Sequence, residues 1–367
     1  MNVRSFFAYL LYICTLPIFC HARFDIKNLT LDQKIGQLFM VAAVSDEEIA
    51  KDTIAKKTYR MDKEYIEQMI AEYHIGGIIY LGKSEYKKQI ERTQHFQSLS
   101  TIPLLFGQDL EPGRVGASRF PDVFNFPSNQ QLGNVNDLDY TYQIGRAIGG
   151  FAKMIGIDVV FAPVADVNNN PKNPVINDRS FGNNPELVAQ HAIAFARGLE
   201  DMRIIACAKH FPGHGDTEVD SHYALPLIAH DQTRLHAIEL LPFKELITAK
   251  IPSIMIAHLE VPALEEEQNL PSSLSKKIVT DLLRKELGFD GIIFTDGLDM
   301  GGITNHYSQG NAELNALLAG NDMLLSPVDV PAAVSAIKQA LADKRITEQE
   351  IDAHVEKILS MKEQLYS

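Results

Sequence analysis

Cysteine is scarce: three residues in 367, two of which, Cys14 and Cys20, fall within the first 22 positions. Those positions carry Arg4 in a short basic start, an apolar stretch from Phe6 to Phe19 and the small residue Ala22 closing Cys20-His21-Ala22, the layout of a secretory signal peptide. Cleavage there leaves Cys207 alone, which excludes an intramolecular disulfide in the mature chain, residues 23–367. Lipidation of Cys20 is the competing way out of the cell, ranked second because Phe19 is bulkier than the small residue such a site prefers. Export, to the periplasm or beyond it, is the expectation.

Basic charge is short as well. Lys and Arg number 34 against 47 Asp and Glu, giving −13 at pH 7 with no basic block, which argues against nucleic acid and anionic lipid as partners. The apolar core of the leader is too short and too polar-flanked for a membrane span. No G-x-G-x-x-G or Walker fingerprint follows any apolar run, so no phosphate-bearing cofactor is implied. Internal repeats, low-complexity tracts and linkers are also missing. One domain, acting as a monomer without metal or cofactor, is the economical reading.

What the chain does have is apolar content, 46%, enough to bury a large core. It arrives in eight compact runs: 35–42, 76–82, 103–109, 158–166, 204–210, 253–260, 291–298 and 322–327. Between them lie helical patterns at 84–99, 138–155, 185–202, 232–250, 275–287, 311–319 and 331–342, with a last one at 347–365 that packs against the rest. Continuous apolar strands alternating with helices call for a parallel sheet covered on its outside. Eight such units in about 250–300 residues predict an α/β (β/α)8 TIM-type barrel, not an open sheet. The charged stretch Asp46–Lys63 reads as a solvated helix or insertion.

Polar residues gather where these strands end: Asp109 and Glu111 after the third, Asp166 after the fourth, Lys209 and His210 in the fifth, His258 and Glu260 after the sixth, Asp296 after the seventh. Barrel enzymes build their sites on that rim. The densest segment is KHFPGHGDTEVDSH, Lys209 to His222, where Pro212, Gly213 and Gly215 bend the chain and three histidines meet three acidic groups. Taken singly, His210 or His214 reads as a hydrogen-bonded structural residue. A zinc set of His210, His214, Asp216 and His222 is conceivable, but H-x3-H-x-D on a bend lacks the preset face of H-E-x-x-H. Asp296 in T-D-G could be a helix cap. Arg179 and Lys209 could be plain ion-pair residues.

The signature Lys209–His222 resembles glycoside hydrolase family 3, in particular its single-domain β-N-acetylglucosaminidases. FTDGLDM (294–300) is similar to the segment bearing the family's nucleophile, the stretch 161–182 ending in R-S-F to the one bearing its sugar-binding arginine, and FGQDLEPGRV (106–115) to the one whose Asp grips hydroxyls. The resemblance implies Asp296 as nucleophile, His222 as general acid/base, Asp220 as its orienting partner, and Asp109, Arg179, Lys209 and His210 as ligands of the sugar. The chemistry agrees. A retaining glycosidase needs a carboxylate under the anomeric carbon and a second group that gives and then takes a proton. Histidine, with an ordinary pKa of about 6.5, suits the second task. In departure from the family, Pro112 replaces a glycine, Arg119 lies late enough to be a weak ligand candidate, and Gly297 stands where a second acidic residue is common.

The implied activity is exo-hydrolysis of terminal N-acetylglucosamine from peptidoglycan fragments or chitooligosaccharides. A β-glucosidase, a phosphorylase of the same fold, substrate-assisted attack by the acetamido group, and a sugar-binding barrel without turnover are the alternatives.

Overall fold

The computed structural model describes residues 25–44, 62–116 and 118–366. The leader at 1–22 and positions 46–61 of the charged stretch lie outside the described residues.

Eight parallel strands form the expected barrel: β1 Phe39–Ala43, β2 Gly77–Tyr80, β3 Leu105–Gln108, β4 Val159–Val160, β5 Ile205–Phe211, β6 Ser253–Ile256, β7 Ile292–Thr295 and β8 Leu324–Leu325. Their order around the sheet is β7-β6-β5-β4-β3-β2-β1-β8. A parallel bridge between Phe294 and Met323 joins β7 to β8 and closes the ring. Every strand is buried along its whole length. Side chains on one face fill the barrel and those on the other meet helices, which is why the runs are continuously apolar and do not alternate.

The interior is packed solid. Phe161 meets Phe294 edge-on at 5.3 Å between ring centroids. Gly107 of β3 leaves room for that ring, since a Cβ there would stand 2.7 Å from Phe161 Cε2 and 3.2 Å from the Met40 sulfur. The β7–β8 seam uses side chains as rungs: the Leu325 N–H donates to Thr295 Oγ1 at 2.9 Å, and the Ile293 N–H to Asp322 Oδ2 at 2.8 Å. Asp322 is buried and also bonds Arg284 and, at 2.8 Å, His354 Nδ1 of the last helix, Glu348–Tyr366.

Three elements depart from the sequence reading. The first apolar run is not one strand: Thr30 and Gln33 form a reciprocal capping box that starts a helix, Leu31–Gln37, and β1 begins only at Phe39. The pattern at 232–250 breaks into Gln232–Ala237 and Leu241–Thr248, with Pro242 in the first turn of the second. Lys277–Glu286 is wound as a π-helix. Helices at Lys63–Tyr73, Asn129–Val135 and Gly301–Thr304 add to those expected. Among the described residues no helix is long and apolar enough to cross a membrane.

Candidate active site

Asp296 follows β7 directly, at the carboxyl end of the barrel. Its Oδ1 accepts the Gly297 N–H at 2.8 Å. Burial alone would raise its pKa, but the imidazoles of His210 and His258, the Gly297 N–H and His222 together bring it down to about 2. It is therefore a carboxylate at any working pH. Its turn is held from below by His258, fully buried two residues past β6, whose Nε2–H donates to the Gly297 carbonyl at 2.8 Å while Nδ1 meets Ser273 Oγ at 2.7 Å. Gly297 has no acidic side chain, yet the space beside it is not empty. A Cβ there would lie 2.7 Å from Asp299 Oδ1. Burial, with Asp296 nearby, lifts the Asp299 carboxyl to about 6.

Across the rim lies a charged cluster. Arg179 grips Glu111 with both arms of its guanidinium, Nε to Oε2 at 2.9 Å and Nη2 to Oε1 at 2.8 Å. Lys209 Nζ lies 2.7 Å from Glu111 Oε1 and 2.6 Å from Asp109 Oδ1. Arg119 Nη2 closes the chain on Asp109 Oδ2 at 3.0 Å, so this arginine enters the cluster despite its late position in the sequence. Burial works against ionised Glu111, but the Arg179 and Lys209 charges outweigh it and hold the carboxyl well below the usual range; Asp109 is lowered in the same way by Lys209 and Arg119. The result is a fixed array of donors and acceptors, matched to a polyol that offers both.

His210 completes the cluster. Its Nδ1 lies 2.7 Å from Asp166 Oδ2, and its Nε2 lies 3.4 Å from Arg179 Nη2. Asp166 is fully buried and also accepts the backbone N–H of His214 at 2.7 Å. Burial raises its pKa, but the charge and hydrogen bond of His210 more than offset this, so Asp166 accepts and the Nδ1 of His210 carries the hydrogen.

His222 and Asp220 sit on the loop after β5. The carboxylate takes both the ring Nδ1 of His222 at 2.8 Å and its backbone N–H at 2.9 Å, which points Nε2 away as the free nitrogen. The His222 side chain is exposed over 62% of its surface. His214 does not join them. It is buried between Thr217 Oγ1 at 2.9 Å and Ser221 Oγ at 3.1 Å, and desolvation lowers its pKa to about 4, which keeps it a neutral brace for the loop. Asn173 ties the base of the same loop through the carbonyls of His214 and Gly215.

The four residues of the conceivable zinc set do not converge. His210 turns to Asp166, His214 to Thr217 and Ser221, His222 to Asp220, and Asp216 to His230 at 2.7 Å. Asp216, His230 and Glu239 do approach within 4.8 Å of one another, but Arg234 Nη2, 3.4 Å from Asp216 and 3.3 Å from Glu239, already supplies the cation there.

All seven residues singled out from the sequence thus lie at the carboxyl end of the barrel. Glu111, Asp166 and His258 carry as much of the architecture and had been marked only as polar strand ends. The spacing D-x-E was the available signal for Glu111. Nothing in the linear sequence joins Asp166 to His210, 44 residues away. Glu260 faces the backbone of Asn269 and lies outside the cluster.

A glycosidase can be built from such parts: an ionised carboxylate at a strand end, an imidazole–carboxylate pair on a loop, and a fixed array of polar side chains. The comparisons with known proteins agree. The chain is 34% identical over 330 residues to Beta-hexosaminidase A of Pseudoalteromonas piscicida, covering 82% of this chain and 55% of that one. Against Beta-hexosaminidase LpqI of Mycobacterium tuberculosis it is 33% identical over 304 residues, 80% of this chain and 77% of the other. A glycoside hydrolase family 3 beta-N-acetylglucosaminidase from Paenibacillus sp. str. FPU-7 superposes with a TM-score of 0.81 at 37% identity over 92% of this chain. This chain spans about half the length of the first of these relatives and 62% of the Paenibacillus protein. Residues 30–361 match the Glycosyl hydrolase family 3 N terminal domain, and the chain belongs to that family.

Proposed function

We propose that the mature chain, residues 23–367, is a single-domain, exported, exo-acting β-N-acetylglucosaminidase that hydrolyses with retention. Asp296 attacks the anomeric carbon and forms a covalent glycosyl-enzyme, and His222 protonates the departing oxygen, then deprotonates the incoming water. Asp220 orients the imidazole and stabilises its charged form. Asp109, Arg179, Lys209 and His210 hold the hydroxyls of the terminal sugar. Terminal N-acetylglucosamine on peptidoglycan fragments or chitooligosaccharides is the substrate.

The observation that carries this reading is an Asp296 carboxyl held well below its ordinary pKa together with the His222–Asp220 dyad on the loop tied to its segment. With Nδ1 held by Asp220, the imidazole presents Nε2 as the atom that gives and then takes the proton. The relatives named above support the N-acetyl specificity.

The test is release of nitrophenolate from 4-nitrophenyl β-N-acetylglucosaminide and from the matching β-glucoside, with Asp296→Ala alongside. Turnover of the N-acetyl substrate, lost in the variant, is the expected result. Faster turnover of the glucoside would overturn the specificity, and no turnover of either would leave a binding protein. Trapping a fluorosugar on Asp296 would exclude attack by the substrate's own acetamido group.

A further inference from the structure

The acid/base loop does not hang free over the barrel. Three of its consecutive carbonyls are taken by the segment that follows Asp296. The Gly301 N–H donates to His222 O at 3.0 Å, the Gly302 N–H to Ser221 O at 3.1 Å, and Asn305 Nδ2 to Tyr223 O at 2.9 Å. Gly301 and Gly302 open the short helix Gly301–Thr304, whose first N–H groups have no partner within the helix and no side-chain cap. The loop supplies the missing acceptors.

The fit demands small residues. A Cβ on Gly301 would lie 2.7 Å from His222 O and 2.8 Å from Tyr223 O, both backbone atoms with nowhere to go. A Cβ on Gly302 would lie 3.2 Å from Ser221 O and 3.5 Å from the Cβ of His258, the residue that holds the Gly297 carbonyl. The backbone of Ser221 and His222 is therefore tied through the glycine pair to the segment that carries Asp296, and His258 holds the Gly297 carbonyl of that same segment. On its other side the loop is braced by His214 through Ser221 Oγ. Between these supports, Glu218 and Val219 are exposed.

We propose that Gly301, Gly302 and Asn305 are positioning residues that clasp the loop bearing Asp220 and His222 onto the segment bearing Asp296. Proton donor and nucleophile then keep one spacing, because both are referred to the same turn. This proposal rests on the reading of His222 as the acid/base. None of the three residues needs to touch substrate.

Leaving-group dependence separates a displaced acid from general damage. Nitrophenolate departs with little protonation, whereas a sugar hydroxyl needs the proton, so loss of the acid falls chiefly on the second. We would measure kcat/KM on 4-nitrophenyl β-N-acetylglucosaminide and on N,N′-diacetylchitobiose for the wild type, His222→Ala, Gly301→Ala and Asn305→Ala. A positioned acid contributes about 10²–10⁴-fold, and His222→Ala should show a loss of that order confined mainly to the disaccharide. Gly301→Ala should reproduce most of that imbalance. Asn305→Ala, at an exposed position where folding is safe, removes one hydrogen bond and should shift the ratio of the two substrates by up to about fivefold.

If His222→Ala shifts the ratio while both clasp variants lower the two substrates equally, or not at all, the clasp is refuted. If Gly301→Ala does not fold, Asn305→Ala decides on the same criterion. If His222→Ala itself leaves the ratio unchanged, the acid/base reading fails and the clasp falls with it.

Discussion

Replacing Glu111 by Gln should destabilise the protein by about 3–5 kcal/mol at pH 7. Glu111 is 2% exposed and accepts hydrogen bonds from the part-buried Arg179 through two nitrogens and from the buried Lys209 through one. Gln keeps the shape, so no cavity opens, but it offers one acceptor where there were two and turns its amide hydrogens on a cation. Lys209 keeps Asp109 at 2.6 Å as a partner, whereas Arg179 is left with the Val175 carbonyl and His210 Nε2, each at 3.4 Å. The cost therefore falls mainly on Arg179, and the lower end of the range is expected. Against a typical total stability of about 5–15 kcal/mol, that is readily measured by urea unfolding.

Acid supplies the second half of the assay. The Glu111 carboxyl is held well below its ordinary value in the folded state, so its stabilisation is complete above the usual carboxylate range. It is lost as pH falls through the folded value. Gln does not titrate, so the gap between the two proteins should narrow steadily on acidification below about pH 4. A gap under about 1 kcal/mol at pH 7, or one that widens with acid, would refute the account of this cluster.

Two further outcomes follow from the geometry. The Asp299 carboxyl is raised to about 6, so its ionisation opposes folding at neutral pH; Asp299→Asn should stabilise the protein by about 1–3 kcal/mol at pH 7 in urea unfolding, with the gain gone below about pH 4. Because Arg234 already balances Asp216 and Glu239, prolonged treatment with a chelator should leave glycosidase activity unchanged, and a loss restored by zinc would overturn that view.

Much of the barrel was legible because burial on both faces leaves a strand no choice but a continuous apolar run, and β2, β3, β4, β6, β7 and β8 each fall inside one, with β5 running one residue past its own. The run at 35–42 misled for the same reason: Ile35 is as buried in its helix as Phe39 is in its strand, and periodicity cannot separate two short buried elements. The Thr30–Gln33 capping box was the finer signal. Within the site, residues with strong side-chain chemistry beside bend-forming glycines were readable. Contacts made by backbone atoms were not, and Gly301 is the clearest case, since a glycine advertises neither charge nor burial. Asp166 and His210 face each other only because β4 and β5 are neighbours in the barrel. Arg119 was underrated since its reach to Asp109 depends on a backbone turn that returns the Arg119 N–H to the Gly116 carbonyl.

The seam between β7 and β8 has one more implication. A ladder made of backbone groups is indifferent to residue identity, but here two rungs are Thr295 Oγ1 and Asp322 Oδ2. Thr295 is the residue immediately before Asp296. A change as small as Thr295→Val deletes a rung without altering volume much, and so slackens the strand under Asp296 while sparing every side chain of the charged cluster. Substitution at such a rung can therefore tune the stiffness of the strand that carries Asp296 from inside the barrel wall, without touching any residue of the charged cluster.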